Sequence, residues 1–175
     1  MAGILKVDQY QDFNGNNIMT SDGSGNITVN AAALKNTPSF QVKKTAVQSI
    51  SSASFTKLTW DAEDWDTDNA FASDKFTVPS GESGKYYFQV TTELGGIDDA
   101  EFVQVLFYKN GSSEAGTTAR WYSPGANDDI RARSNVILDL SVGDYIEAYI
   151  YQNEGGAVNA SNSETFFRGY KLIGV

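Results

Sequence analysis

Ile130-Arg131-Ala132-Arg133-Ser134-Asn135-Val136-Ile137-Leu138-Asp139-Leu140 decides the fold class. Ile130, Ala132, Ser134, Val136, Leu138 and Leu140 alternate with Arg131, Arg133, Asn135, Ile137 and Asp139. A period of two sends one set into a core and the other toward water, which marks a half-buried strand. Stretches of the same kind stand on both sides. Residues 102–108 are β-branched and aromatic and close on Asn110-Gly111. Residues 86–90 follow a turn-like stretch at 79–84, residues 145–151 follow Gly143-Asp144, and residues 166–173 run toward the end. Residues 55–60 and 75–78 read as shorter strands, and only 31–35 looks helical, for about one turn. Strands punctuated by Gly, Asn and Asp turns predict an all-β, two-sheet antiparallel sandwich.

Some of these strands are apolar on both faces. In 102–108, Phe102, Leu106 and Tyr108 oppose Val103, Val105 and Phe107; in 145–151, Tyr145, Tyr149 and Tyr151 oppose Ile146, Ala148 and Ile150. A second aromatic face on an acidic chain is an exposed patch unless something covers it, and Tyr suits interfaces. The sequence therefore predicts self-association through Phe102, Leu106, Tyr108, Tyr145, Tyr149 and Tyr151.

Composition narrows the chemistry. The 175 residues contain no Cys and no His. Disulfides, thiolate metal sites, imidazole sites and Ser-His-Asp or Cys-His catalysis are thereby excluded. Thirteen Lys and Arg face 22 Asp and Glu, a net charge of −9, which disfavours nucleic-acid partners. No apolar run is long enough for a membrane span, and 1–13 lacks the marks of a secretory signal. Neither nucleic-acid binding nor membrane insertion is expected.

The first 37 residues read as a β-arm, 1–37, ahead of a domain at 38–175. Their apolar content is thin, and Asn14-Gly15 and Asp22-Gly23-Ser24-Gly25 are turn signals. A lone hairpin is marginal in water, so the arm must lie on its own domain, on symmetry mates or on a larger assembly. Ile4, Val7, Tyr10, Phe13 and Ile18 are its candidate attachment residues.

From about Phe40 to Val175 the chain resembles the jelly-roll superfamily of the complement 1q globular head and tumour necrosis factor. Phe71 precedes Phe76-Thr77-Val78-Pro79 and Gly84-Lys85-Tyr86-Tyr87-Phe88; Lys109-Asn110-Gly111, the turn 138–144 with Gly143-Asp144, and Phe166-Phe167-Arg168-Gly169-Tyr170 follow in order. The resemblance implies a jelly-roll sandwich and a compact homotrimer. Leu5-Lys6-Val7-Asp8, Asn14-Gly15 and Asp22 to Thr28 look like the leaders of phage fibre and virion proteins. Together the two imply a virion-surface location and a capsid decoration (cement or head-fibre) trimer. The arm would then contact the major capsid protein or another virion protein. The rival reading is a tail-fibre module that binds a receptor or a host-surface glycan.

Candidate chemistry is sparse. Asp61, Glu63, Asp64, Asp66 and Asp68 form an oxygen-rich cluster of the kind calcium takes. Its Asp64-x-Asp66-x-Asp68 spacing starts like a calcium loop but meets Lys75 where a bidentate Glu belongs. The sequence predicts no cofactor and no metal, leaving Asp64, Asp66 and Asp68 as weak calcium candidates. Asp98, Asp99, Glu101, Asp128 and Asp129 are candidates for a glycosidase pair by proximity alone, and turn acids are the expectation. Trp65, Trp121 and Tyr122 are the candidates for stacking a glycan. The chain is expected not to be an enzyme.

Overall fold

The computed structural model describes residues 7–29 and 36–173. The expected helical turn at 31–35 and the attachment candidate Ile4 lie outside the described residues. One compact unit is Thr37–Leu172, and the residues up to Asn36 belong to another.

The N-terminal unit is a three-stranded antiparallel meander, β1 (Gln9–Gln11), β2 (Asn17–Ser21) and β3 (Ile27–Val29). Its two turns are copies of each other. The Asp12 carboxylate accepts the Asn14 and Asn16 amides at 2.8 and 2.9 Å and the Asn16 side chain at 2.9 Å. Asp22 does the same with Ser24, Asn26 and the Asn26 side chain at 2.7, 3.2 and 2.6 Å. Gly15 and Gly25 supply the left-handed residue, at φ 83° and 92°, which an L side chain adopts at a cost. Asp12-Gly15-Asn16 and Asp22-Gly25-Asn26 are thus one motif repeated at ten residues.

The larger unit is an all-β jelly-roll sandwich, with no helix among the described residues. Its strands are β4 (Ser39–Lys43), β5 (Gln48–Ile50), β6 (Thr56–Lys57), β7 (Ala62–Asp66), β8 (Phe71–Ala72), β9 (Lys75–Thr77), β10 (Gly84–Ile97), β11 (Phe102–Lys109), β12 (Ser112–Ser113), β13 (Ala119–Tyr122), β14 (Asp128–Leu140), β15 (Tyr145–Gln152), β16 (Val158–Ala160) and β17 (Phe166–Lys171). The first sheet runs β14-β10-β17-β4-β7, with β16 and β5 extending beyond the end of β17. The second runs β11-β15-β9-β8, with β12 and β13 on the free side of β11 and β6 beside β15. The strand expected over 55–60 forms only at Thr56–Lys57; beyond it Leu58 is fully buried and its amide donates to the Ala148 carbonyl at 2.9 Å.

Alternation in β14 holds through its length: Ile130, Ala132, Ser134 and Leu140 are buried and Arg131, Arg133, Asn135, Ile137 and Asp139 exposed. The core is aromatic. Phe40 packs on Phe71 and Phe167 at 4.9 Å and on Phe76 at 5.2 Å between centroids. Phe88 and Phe40 come from strands on either side of β17, and register sets both against Gly169. A Cβ there would meet Phe88 Cδ1 at 2.6 Å and Phe40 Cε1 at 2.9 Å. Only glycine lets the rings close over β17.

The hairpin between β11 and β12 turns on Asn110 and Gly111, both at positive φ (53° and 80°), as a two-residue type I′ turn requires. Asn110 then reaches back: its Nδ2 donates to Asp144 at 2.7 Å and its Oδ1 accepts the Tyr145 amide at 2.9 Å. This bond, with the Ser141 amide behind it, holds the Asp144 carboxyl below the usual range.

Replacing Gly169 by Ala is expected to destabilise the sandwich by about 1–3 kcal/mol, the usual cost of overpacking, read as a lower urea midpoint.

Candidate functional site

Both inward faces are filled, so a working surface must lie outward. On the second sheet, register places Tyr149 opposite Leu106, Tyr151 opposite Gln104 and Tyr122 opposite Phe102. The six residues expected at a subunit contact therefore share one face. They also cover one another. Tyr108 and Tyr149 stack at 3.8 Å and Phe102 and Tyr151 at 5.6 Å. Phe55 bridges Tyr151 at 5.1 Å and Tyr108 at 6.5 Å, and Tyr122 lies 5.5 Å from Phe102. Cations sit on the rings: Arg120 is 4.2 Å from the Phe102 centroid and Lys75 4.2 Å from that of Tyr145. Glu147, the one acid on this sheet's strands, accepts from Lys57 Nζ at 2.7 Å. None of the six is left fully exposed.

The outward face of the first sheet is built in three rows. Asn135, Gln89, Arg168, Gln41 and Trp65 align across five strands. Beside them run Ile137, Tyr87, Tyr170 and Ser39 on one side and Arg133, Thr91, Phe166 and Lys43 on the other. Tyr87 and Tyr170 lie 5.3 Å apart. Arg168 donates through Nε to Gln89 at 2.7 Å, and Arg133 Nε to Thr91 Oγ1 at 3.3 Å. Among the described residues, neither arginine pairs with a side-chain carboxylate. Ile137, Trp65 and Tyr170 remain 57%, 46% and 37% exposed. Here apolar area and charge are both left open.

The stacking candidates do not meet. Trp65 stands on the first sheet; Tyr122 points outward from the second; Trp121, its chain neighbour, points inward and packs on the core. Alternation alone separates Trp121 from Tyr122. The acidic cluster also disperses. Asp64 pairs with Lys43 and accepts Gln41 Nε2 at 2.7 Å, bonds that hold its carboxyl below the usual range. Asp66 accepts the amides of Ala70 and Phe71 at 3.0 and 2.8 Å, and Asp68 accepts Thr67 Oγ1 at 2.6 Å. Among the described residues no three acids converge as a metal site would require. A cleft of about 360 Å³ is lined by Trp60, Asp61, Glu63, Phe71 and Asp74. Asp61 there accepts the Thr45 and Ala46 amides and Asp74 the Trp60 amide. Asp98 is likewise engaged, by the Asn127 amide at 3.1 Å.

In the arm, Tyr10, Met19 and Val29 are directly paired and so share a face with Ile27, while Ile18 points the opposite way. Val7 is exposed near Tyr10, and Phe13 projects from the first turn. Asp22, Ser24 and Asn26 are spent on the second turn. Met19 escapes the sequence reading and Ile27 enters it only as part of the arm's thin apolar content; the pairing of Tyr10 with Met19 and of Met19 with Val29 brings them to one face.

Asp12, Asp22, Asp64 and Asp144 all sit below the ordinary carboxylate range, held ionised by hydrogen bonds from Asn16, Asn26, Lys43 and Asn110 foremost. A general acid needs the reverse shift.

No family model and no curated protein sequence matches the chain. Solved structures do. The globular domain of zebrafish complement 1qA protein aligns over 77% of this chain and 97% of its own, at 16% identity and a TM-score of 0.53. Murine APRIL, crystallised at pH 5.0, aligns over 77% and 98% at 17% identity and a TM-score of 0.57; its pH 8.5 crystal gives 0.55. These likenesses establish the shared jelly-roll fold.

Burial foremost, then Glu147, raises the Tyr149 phenol above its ordinary value of 10.0. The stability this proton contributes is whole below pH 10.0 and is lost as pH rises through the raised value. Urea unfolding at pH 9 and 11 should show a smaller alkaline loss in Tyr149→Phe than in the parent (pH values chosen to bracket about 10).

Proposed function

We propose that this chain is a non-enzymatic structural protein of a virus particle. It forms a homotrimer of jelly rolls that decorates a phage capsid, as a cement or head-fibre protein, and its N-terminal arm anchors it. The observation that carries the assembly is the open face of the first sheet. Ile137, Tyr170 and Trp65 expose apolar area beside Arg133 and Arg168, which have no carboxylate among the described residues. A second copy fits that vacancy. The chain carries a net charge of −9, so its neighbour brings acids to the arginines while covering the rings. In a closed threefold ring the contact is head-to-tail, so this face meets a different surface on the next copy. The six residues of the second sheet, packed on one another and under Arg120 and Lys75, have less need of a cover.

The arm supports the anchoring role. Its strands are three to five residues long, and Tyr10, Met19 and Ile27 expose apolar area on one side of the sheet. A capsid protein is the surface that this side would meet. Jelly-roll loops and sheet faces give a binding architecture, and the absence of His and Cys removes the commonest catalytic groups.

Light scattering is expected to give about three times 19.0 kDa. Ile137→Asp should return the monomer, because a charge buried without a partner is costly, while Tyr149→Asp should leave the trimer intact. The opposite pattern would move the contact to the second sheet, and a monomeric parent would refute assembly. Deleting residues 1–36 should leave a folded trimer that no longer attaches to purified particles of the encoding virus. Counting copies by quantitative mass spectrometry separates a capsid protein, present many times per particle, from a tail-tip protein.

A further inference from the structure

We propose that the outward face of the second sheet is a binding platform for an acidic polysaccharide. The inference rests on the assembly reading above, because a trimer built on this face would hide it.

Its first ground is the ladder of rings. Tyr122, Phe102, Tyr151, Phe55, Tyr108 and Tyr149 touch in that order, with successive centroids from 3.8 to 6.5 Å apart. The series crosses three strands without a break. Flat aromatic faces stack on the C–H faces of pyranose rings, and phenol hydroxyls at their edges bond sugar hydroxyls. The four outward tyrosines of the ladder supply both.

The second ground is charge. The strands of this sheet carry Lys57, Lys75, Lys109 and Arg120 against Glu147 alone, in a chain of net charge −9. Glu147 neutralises Lys57 and Asp144 neutralises Lys109. Arg120 and Lys75 are left without a carboxylate among the described residues. Arg120 is already oriented: Nε and Nη2 donate to Gln104 Oε1 at 3.0 and 2.7 Å and Nη1 to Tyr122 at 3.3 Å. A guanidinium has five N–H donors, so donors remain for a ligand carboxylate. Arg120 lies at the Phe102 end of the face and Lys75 at the Tyr145 end. Seven residues of strand between Tyr145 and Tyr151 put these ends about 20 Å apart. That spacing suits a polymer with carboxylates at intervals better than a single sugar. Single-stranded DNA, a polyanion without pyranose rings, is the control for charge alone.

The test is affinity electrophoresis of the full chain through gels containing polygalacturonate, dextran or single-stranded DNA, with light scattering on the same samples. Polygalacturonate is expected to retard the protein and the other two polymers are not. Arg120→Gln and Phe102→Ala should each weaken retardation about tenfold, the scale of one charge-assisted hydrogen bond. No retardation by polygalacturonate overturns the proposal. So does equal retardation by dextran or DNA, or retardation that both variants leave unchanged. A Tyr149→Asp chain that turns monomeric overturns the assembly reading, and the platform with it. An intact trimer that ignores polygalacturonate overturns the platform alone.

Discussion

The closure of Phe40 and Phe88 over Gly169 is the contact on which the sandwich depends. Strand β17 sits between β10 and β4, and the rings from both neighbours fill the place where its side chain would stand. Phe167, two residues earlier on the same face, packs edge-on against Phe40. Large and absent side chains alternate along one strand, and the ring cluster interlocks around the gap. The family-like Phe-x-Gly of the closing strand thus has a steric meaning: the Phe fills the core, and the Gly admits two other rings.

From that centre the outward faces follow by register. On the second sheet, rings cover rings, cations cover rings, and the one acid has its lysine. On the first sheet, amides and guanidinia lie flat in a row with aromatic side chains to either side, but Arg133 and Arg168 find neutral partners only. A buried charge pair across subunits is worth more than an exposed one within a subunit. Among the described residues no side-chain carboxylate takes the donors of either arginine.

Much of this was legible in the sequence. Period-two alternation places Ile130 and Arg131 on opposite sides without any knowledge of the fold, and it sorts Phe102, Leu106 and Tyr108 from Val103, Val105 and Phe107 in the same way. It also separates Trp121 from Tyr122. What alternation does not carry is the neighbour across the sheet. Whether Tyr149 is bare or stacked depends on Tyr108, and whether Arg168 is paired depends on Gln89 and Gln41, each far along the chain. The acids of 61–68 show the converse. They are close in sequence, but strand geometry and a bulge opposite Gln41 and Val42 send Asp61 and Asp66 to separate pairs of amides, Asp64 to Lys43 and Gln41, and Asp68 to the Thr67 hydroxyl. Proximity along a strand is not convergence.

The repeated turn of the arm has a consequence for how such a chain can vary. Each decapeptide from Asp12 to Asp22 contributes one strand and one self-contained turn, whose bonds stay within five residues. A duplicated unit would therefore bring its own folding instructions. Because the meander is antiparallel, a single added unit would reverse the direction in which the chain leaves the sheet, and two would restore it. Length can change in steps of one strand, but heading is preserved only in steps of two. Parity, more than length, is the quantity that this arm must conserve.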